Sequence, residues 1–118
     1  MLDAVKSGDA KKVAELIRQD PGFKVNLDLG DGWTLLHYAC YENHRSAVIP
    51  LLLAHPDIDV NLKRHDGATP FCACCYDGYT SCFRAVLKDS RVKVNEPNKD
   101  GETPRNRAAL KGRLETIK

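Results

Sequence analysis

Two kinds of side chain in this sequence could do chemistry, thiols and imidazoles. Cys72, Cys74 and Cys75 crowd one short stretch, Cys40 and Cys82 flank it, and His37 and His44 lie upstream. Together they offer zinc-type ligands. Zinc motifs, however, place ligand pairs about two to four residues apart with a second such pair beyond, and this spacing does not match. A thiol enzyme is the other reading, with Cys72 or Cys75 as nucleophile. That chemistry requires a thiolate, a base within reach and an oxyanion site. His37 is the base that chain register brings nearest to Cys72, but nothing else assembles around the pair. No glycine-rich phosphate loop follows a strand, and neither HExxH nor GxSxG occurs. Packing is the expected use of the thiols, and no metal, cofactor or catalysis is expected.

The elements that must position these residues recur. Asp31-Gly32-Trp33-Thr34-Leu35-Leu36 is followed by Asp66-Gly67-Ala68-Thr69-Pro70-Phe71 after 35 residues, and by Asp100-Gly101-Glu102-Thr103-Pro104-Arg105 after another 34. Val25-Asn26, Val60-Asn61 and Val94-Asn95 precede the copies at one constant offset. Ala4, Ala39 and Cys74 share a column, as do Leu16, Leu51 and Val86. A period of this length marks a stacked array in which no unit can bury its apolar face alone.

The motif Asp-Gly-x-Thr-Pro-Leu-His-x-Ala, followed by a turn, a Leu-Leu helix and Val-Asn, resembles the ankyrin repeat. Thr34-Leu35-Leu36-His37-Tyr38-Ala39 and Thr69-Pro70-Phe71-Cys72-Ala73-Cys74 carry the likeness, which covers nearly the whole chain. It implies a mainly α solenoid of stacked helix-turn-helix units with short β-hairpin fingers. About three full repeats and a partial C-terminal one are expected, as units 1–30, 31–65, 66–99 and 100–118 of a single domain. The resemblance implies that His37 bonds within its own turn and that Cys72, in the same column, lacks that bond. It also implies that the finger asparagines bond the adjacent finger. Hydroxylation of Asn61 and Asn95 is a further expectation from the family.

In chain order, the first unit is expected to pair helices over Leu2–Ser7 and Ala10–Gln19 about a Gly8-Asp9 turn. Val13, Leu16 and Ile17 form its apolar stripe, with Lys11, Lys12, Glu15 and Arg18 off it. Pro21-Gly22 ends it, and its polar content suits a partial cap. In the second unit Thr34 is the expected N-cap, Asn43-His44 the inter-helix turn with Asn43 left-handed, and Val48, Leu51 and Leu52 the stripe. Pro50 should delay or kink the second helix. In the third, Thr69-Pro70 opens a helix, Gly78 supplies the turn, and Phe83, Val86 and Leu87 are core. The fourth begins at Thr103-Pro104 with Ala108, Ala109 and Gly112 in their columns, and Arg105 and Asn106 off pattern. The chain stops at Lys118 inside an expected helix, so a piece of a longer protein is expected.

The formal net charge of +2 argues against a dedicated nucleic-acid binder. Residues 99–118 are locally basic, with six Lys/Arg against three acids. No apolar run approaches the roughly 20 residues of a membrane span. Five cysteines placed where helices fall suit a reducing compartment, cytoplasmic or nuclear.

The resemblance places partner binding on the finger tips and the exposed face of each first helix, the lining of a concave groove. Its columns hold Asp31, Trp33, Tyr41 and Glu42 in the second unit, His65, Asp66, Tyr76 and Asp77 in the third, and Lys99 and Glu102 in the fourth. Trp33, Tyr41 and Tyr76 are the strongest of these, since aromatics dominate binding hot spots. Tyr38 and Tyr79 are assigned to packing. The expected function is non-catalytic recognition of another protein by a monomer. A spacer within a larger protein, or an enzyme using Cys72 or Cys75, is the alternative.

Overall fold

The computed structural model describes residues 1–76, 79–97 and 99–101. The fourth-unit helix expected from Thr103, with Arg105, Asn106, Ala108, Ala109 and Gly112, lies outside the described residues, as does the turn glycine Gly78.

The first unit has the expected helices, α1 over Leu2–Ser7 and α2 over Ala10–Gln19. Gly8 separates them with φ 72°. A Cβ at that position would lie 2.3 Å from the His44 carbonyl oxygen, so both the left-handed turn and the close approach require glycine. The Asp9 carboxylate caps α2 by accepting the Lys12 N–H at 3.0 Å. Val13 is buried, Leu16 and Ile17 are half-buried, and the four charged residues face solvent. The outer edge is less polar than a cap should be. A cleft of about 480 Å³ there is lined by Met1, Leu2, Phe23, Leu27, Leu29 and Leu35, among others, and Leu27 is 51% exposed.

In the second unit α3 spans Leu35–Ala39. A 3₁₀ helix follows over Asn43–Val48 and runs directly into α4, Ile49–Leu53. Pro50 explains this break. It has no N–H to donate back to Ser46, and its ring crowds that carbonyl. The Ser46 carbonyl instead accepts from the Ile49 N–H, a 3₁₀ contact. The expected left-handed Asn43 is not found: Asp31 is the one non-glycine with positive φ among the described residues. Asn43 opens the 3₁₀ helix, and its side-chain oxygen accepts the Ser81 N–H at 3.2 Å, capping a helix of the next unit. The apolar stripe also includes fully buried Ile49.

The third unit pairs α5, Pro70–Tyr76, with α6, Thr80–Leu87. Thr69 caps as expected, its hydroxyl accepting the Cys72 N–H at 3.2 Å. Phe83 and Val86 are buried, but Leu87 is 44% exposed and outside the core. Cys40 lies one residue past the end of α3, while the other four cysteines are helical.

The first helices pack in a row, α1 on α3 on α5, and the second helices in another, α2 on α4 on α6. Between the rows runs one continuous core containing Val5, Leu36, Ile49, Leu52 and Val86, all fully buried. Each such side chain contributes about 1.5–3 kcal/mol of burial.

No strand occurs among the described residues. The expected hairpin fingers are tight turns, each closed by two backbone bonds, of which the inner one runs from Trp33 N–H to the Gly30 carbonyl or from Gly67 N–H to that of Arg64, both at 2.9 Å. Leu29 N–H donates to the Trp33 carbonyl at 2.8 Å, and Arg64 N–H to that of Ala68 at 2.9 Å. The arms are too short to form a ladder. The tips nonetheless join one another, His65 N–H to the Asp31 carbonyl at 2.9 Å and Lys99 N–H to that of Asp66 at 3.2 Å. Gly32, φ 81°, sits so close beneath the next finger that a Cβ would lie 2.6 Å from His65 N. Below the tips the asparagines tie each unit to the next. Asn26 donates to the Asp57 carbonyl at 2.7 Å and accepts the Asp59 N–H at 2.9 Å. Asn61 does the same with Arg91 at 2.9 Å and Lys93 at 2.8 Å.

Candidate functional site

His37 is fully buried and holds the first helix of the second unit in place. The Thr34 N–H donates to His37 Nδ1 at 3.1 Å. A lone pair must therefore stand on Nδ1, so the ring proton is on Nε2, which donates to the Ala68 carbonyl at 3.2 Å. Thr34 and His37 form a capping box, the Thr34 side chain toward the His37 backbone N–H and the His37 ring toward that of Thr34, and the Thr34 hydroxyl also lies 2.9 Å from Nδ1. His37 thus bonds within its turn and also across to the next unit. Burial pushes its pKa down to about 4, so the ring is neutral and both nitrogens are engaged. It is not placed to act as a base.

The thiols of Cys74, Cys75 and Cys82 are held in the acid form. Burial, with the neighbouring Cys40 thiol, raises Cys74 well above the usual thiol range. A hydrogen bond with Cys74, then burial, raises Cys75, and burial pushes Cys82 up to about 11. The Cys82 thiol donates to the Glu42 carbonyl at 3.0 Å and lies 3.4 Å from that of Ala39. Nucleophilic cysteines have the opposite environment, with a lowered pKa and an exposed sulfur. Among the described residues no three His, Cys, Asp or Glu side chains are grouped to hold a metal ion. No described helix is long and apolar enough to cross a membrane.

The aromatic residues meet beside α3. Trp33 is half-buried and packs on Tyr38 at 4.9 Å between centroids and on Tyr41, edge to face, at 5.2 Å. Tyr41 continues to Tyr79 of the third unit at 5.9 Å. The result is a strip of four rings, Tyr38, Trp33, Tyr41 and Tyr79, of which Tyr41 is 39% exposed. Edge-to-face pairs of this kind hold one another rigid. The Arg64 guanidinium lies over Trp33 at 4.3 Å and the Lys6 ammonium over Tyr38 at 5.1 Å.

The charged candidates line the finger tips. Asp31, His65, Asp66 and Lys99 are exposed and joined by the backbone bonds between tips. Burial alone would raise the Asp66 pKa, but two bonds from Arg64 at 3.2 and 2.8 Å and one from Ala68 N–H outweigh it and lower it. The His65 ring lies 3.3 Å from the Asp28 carboxylate of the preceding finger. Bonds from the Gly30 and Gly32 N–H groups hold the Asp28 pKa down. Glu42 is half-buried over Cys82.

Trp33 and Tyr41 thus come together, and Asp31, His65, Asp66 and Lys99 follow one edge. The backbone of Tyr76 ends α5; its side chain, Asp77 and Glu102 lie outside the described residues. Tyr38 packs as expected, half-buried against the hydrophobic core, and it also meets Trp33. Tyr79 packs, as expected, but also meets Tyr41. Lys6 and Arg64 were missed. Lys6 had a signal, since it stands 35 residues before Tyr41 and so in the same column of the repeat. Arg64 had none.

Comparison with known families gives one match, to a family described as ankyrin repeats (3 copies), over residues 1–95 and again over residues 47–118. No curated protein matches the chain.

Proposed function

The chain belongs to the ankyrin-repeat family, and on that premise we propose that it is a non-catalytic module whose concave groove grips another protein. Ankyrin repeats are generally protein–protein interaction modules and typically non-catalytic. The observation that carries the proposal is the Trp33–Tyr41–Tyr79 strip, rigid rings left partly open to solvent on one side of the stack. Rings already locked by their neighbours lose little freedom on binding, which is why such residues dominate interface energetics. Asp31, Glu42, His65, Asp66 and Lys99 form the polar border in this reading, with Tyr76, Asp77 and Glu102 as its expected continuation. The module acts as a monomer in the cytoplasm or nucleus, where its five buried thiols stay reduced.

The test is quantitative binding to a partner first recovered with the wild-type chain. Trp33→Ala and Tyr41→Ala are compared with Lys12→Ala on the outer face of α2. A loss of about 2 kcal/mol, roughly 30-fold, is expected for the ring variants, with far-UV circular dichroism and the Lys12→Ala affinity unchanged. Wild-type affinity in both ring variants refutes the groove reading.

A further inference from the structure

We propose that the groove selects a partner segment with two features: an apolar side chain that seats against Tyr41 and Tyr79, and a carboxylate that meets Lys6. The inference rests on the groove reading above and gives it a polarity.

The two cations on the ring strip differ in what else holds them. Arg64 is neutralised by both oxygens of Asp66. Lys6 is exposed, and its ammonium rests on the Tyr38 ring with no carboxylate paired to it among the described residues. Asp3, one turn earlier on α1, forms no ion pair with it. Beside Lys6, Arg45 spends its guanidinium on two carbonyls, those of Lys6 at 2.9 Å and Tyr38 at 3.0 Å. Neither carbonyl cancels its charge. Uncompensated positive charge therefore gathers at the first-unit end of the strip, while the apolar opening lies at the second and third units.

Register places both features in one groove. Lys6 and Tyr41 occupy the same column in successive units, 35 residues apart. Neighbouring packed helices lie about 8–10 Å apart, which an extended peptide crosses in about three residues. The acid and the apolar anchor should therefore be separated by about three positions. A single-stranded nucleic acid would also carry negative charge, but base stacking needs open ring faces. Here the rings contact one another edge-on, and Arg64 covers Trp33.

The test is selection of a random 12-residue peptide library displayed on phage against the wild-type chain, Lys6→Glu and Tyr41→Ala. The wild type should enrich peptides with an aliphatic or aromatic residue and an Asp or Glu about three positions away. Lys6→Glu should bind those peptides at least tenfold more weakly and, selected afresh, should enrich Lys or Arg at the acidic position. Absence of an acidic preference, an unchanged selection with Lys6→Glu, no enrichment at all, or tighter binding of oligo(dT) than of any selected peptide overturns the inference. Peptides that lose affinity with Tyr41→Ala but carry no acid leave the groove reading standing. Peptides indifferent to Tyr41→Ala bring down the groove reading as well.

Discussion

Acid should unfasten the second unit from the third through one residue. His37 is buried, neutral, and bonded on both nitrogens, with a pKa of about 4 against an ordinary 6.5. Because the folded value is depressed, the unfolded chain binds the proton first. The stability supplied by neutral His37 is fully present above pH 6.5, falls as pH drops, and is lost once pH passes about 4. The difference of about 2.5 units, at 1.36 kcal/mol per unit, amounts to about 3 kcal/mol. That is a large share of a small domain's stability. Urea unfolding followed at 222 nm, at half-unit steps from pH 8 to 4, should show stability flat to about pH 7 and then falling by about 1.4 kcal/mol per pH unit. The His37→Gln variant keeps an acceptor and a donor but cannot titrate, so its curve should lack this slope, and the difference between the two curves isolates the residue. Asp28, Asp66, Asp89 and Glu96 are held below their usual values, so their contribution falls at lower pH. A wild-type curve flat from pH 6.5 to 4.5, or an His37→Gln curve of equal slope, refutes the reasoning. So does an NMR titration of the His37 ring with a midpoint near 6.5.

Other consequences follow from the stack. Gly32→Ala forces a left-handed backbone onto a side chain and drives a Cβ to within 2.6 Å of His65 N. It should cost at least 2 kcal/mol by about the sum of those two effects, read as a drop in Tm. Asn61→Ala removes two bonds between units and should cost about 1–2 kcal/mol in urea unfolding. Leu52→Ala leaves a cavity in the core between second helices and should cost about 2–5 kcal/mol. With a disulfide reagent at pH 7.5, all five thiols should label slowly in the native protein and rapidly in urea, since each is buried; fast labelling of Cys72 or Cys75 would revive the thiol-enzyme reading.

The repeat period by itself determines the architecture. Columns at 35 and 34 residues placed α1, α2, α5 and α6, and Pro50 alone, by lacking an N–H, foretold the late start of α4. Local chemistry of this kind is legible because it depends on neighbours in sequence. Three other features were decided only by the stack. Asn43 left its expected turn to cap α6. Arg64 settled on Trp33 while Tyr79 reached Tyr41. Asn43 with Ser81, Arg64 with Trp33 and Tyr41 with Tyr79 each join residues far apart in sequence and in different columns, so no periodicity records them. The rings and charges of the groove were visible as residue types. Which of them touch, and which cation is left without an acid, was set by how the helices of successive units pack.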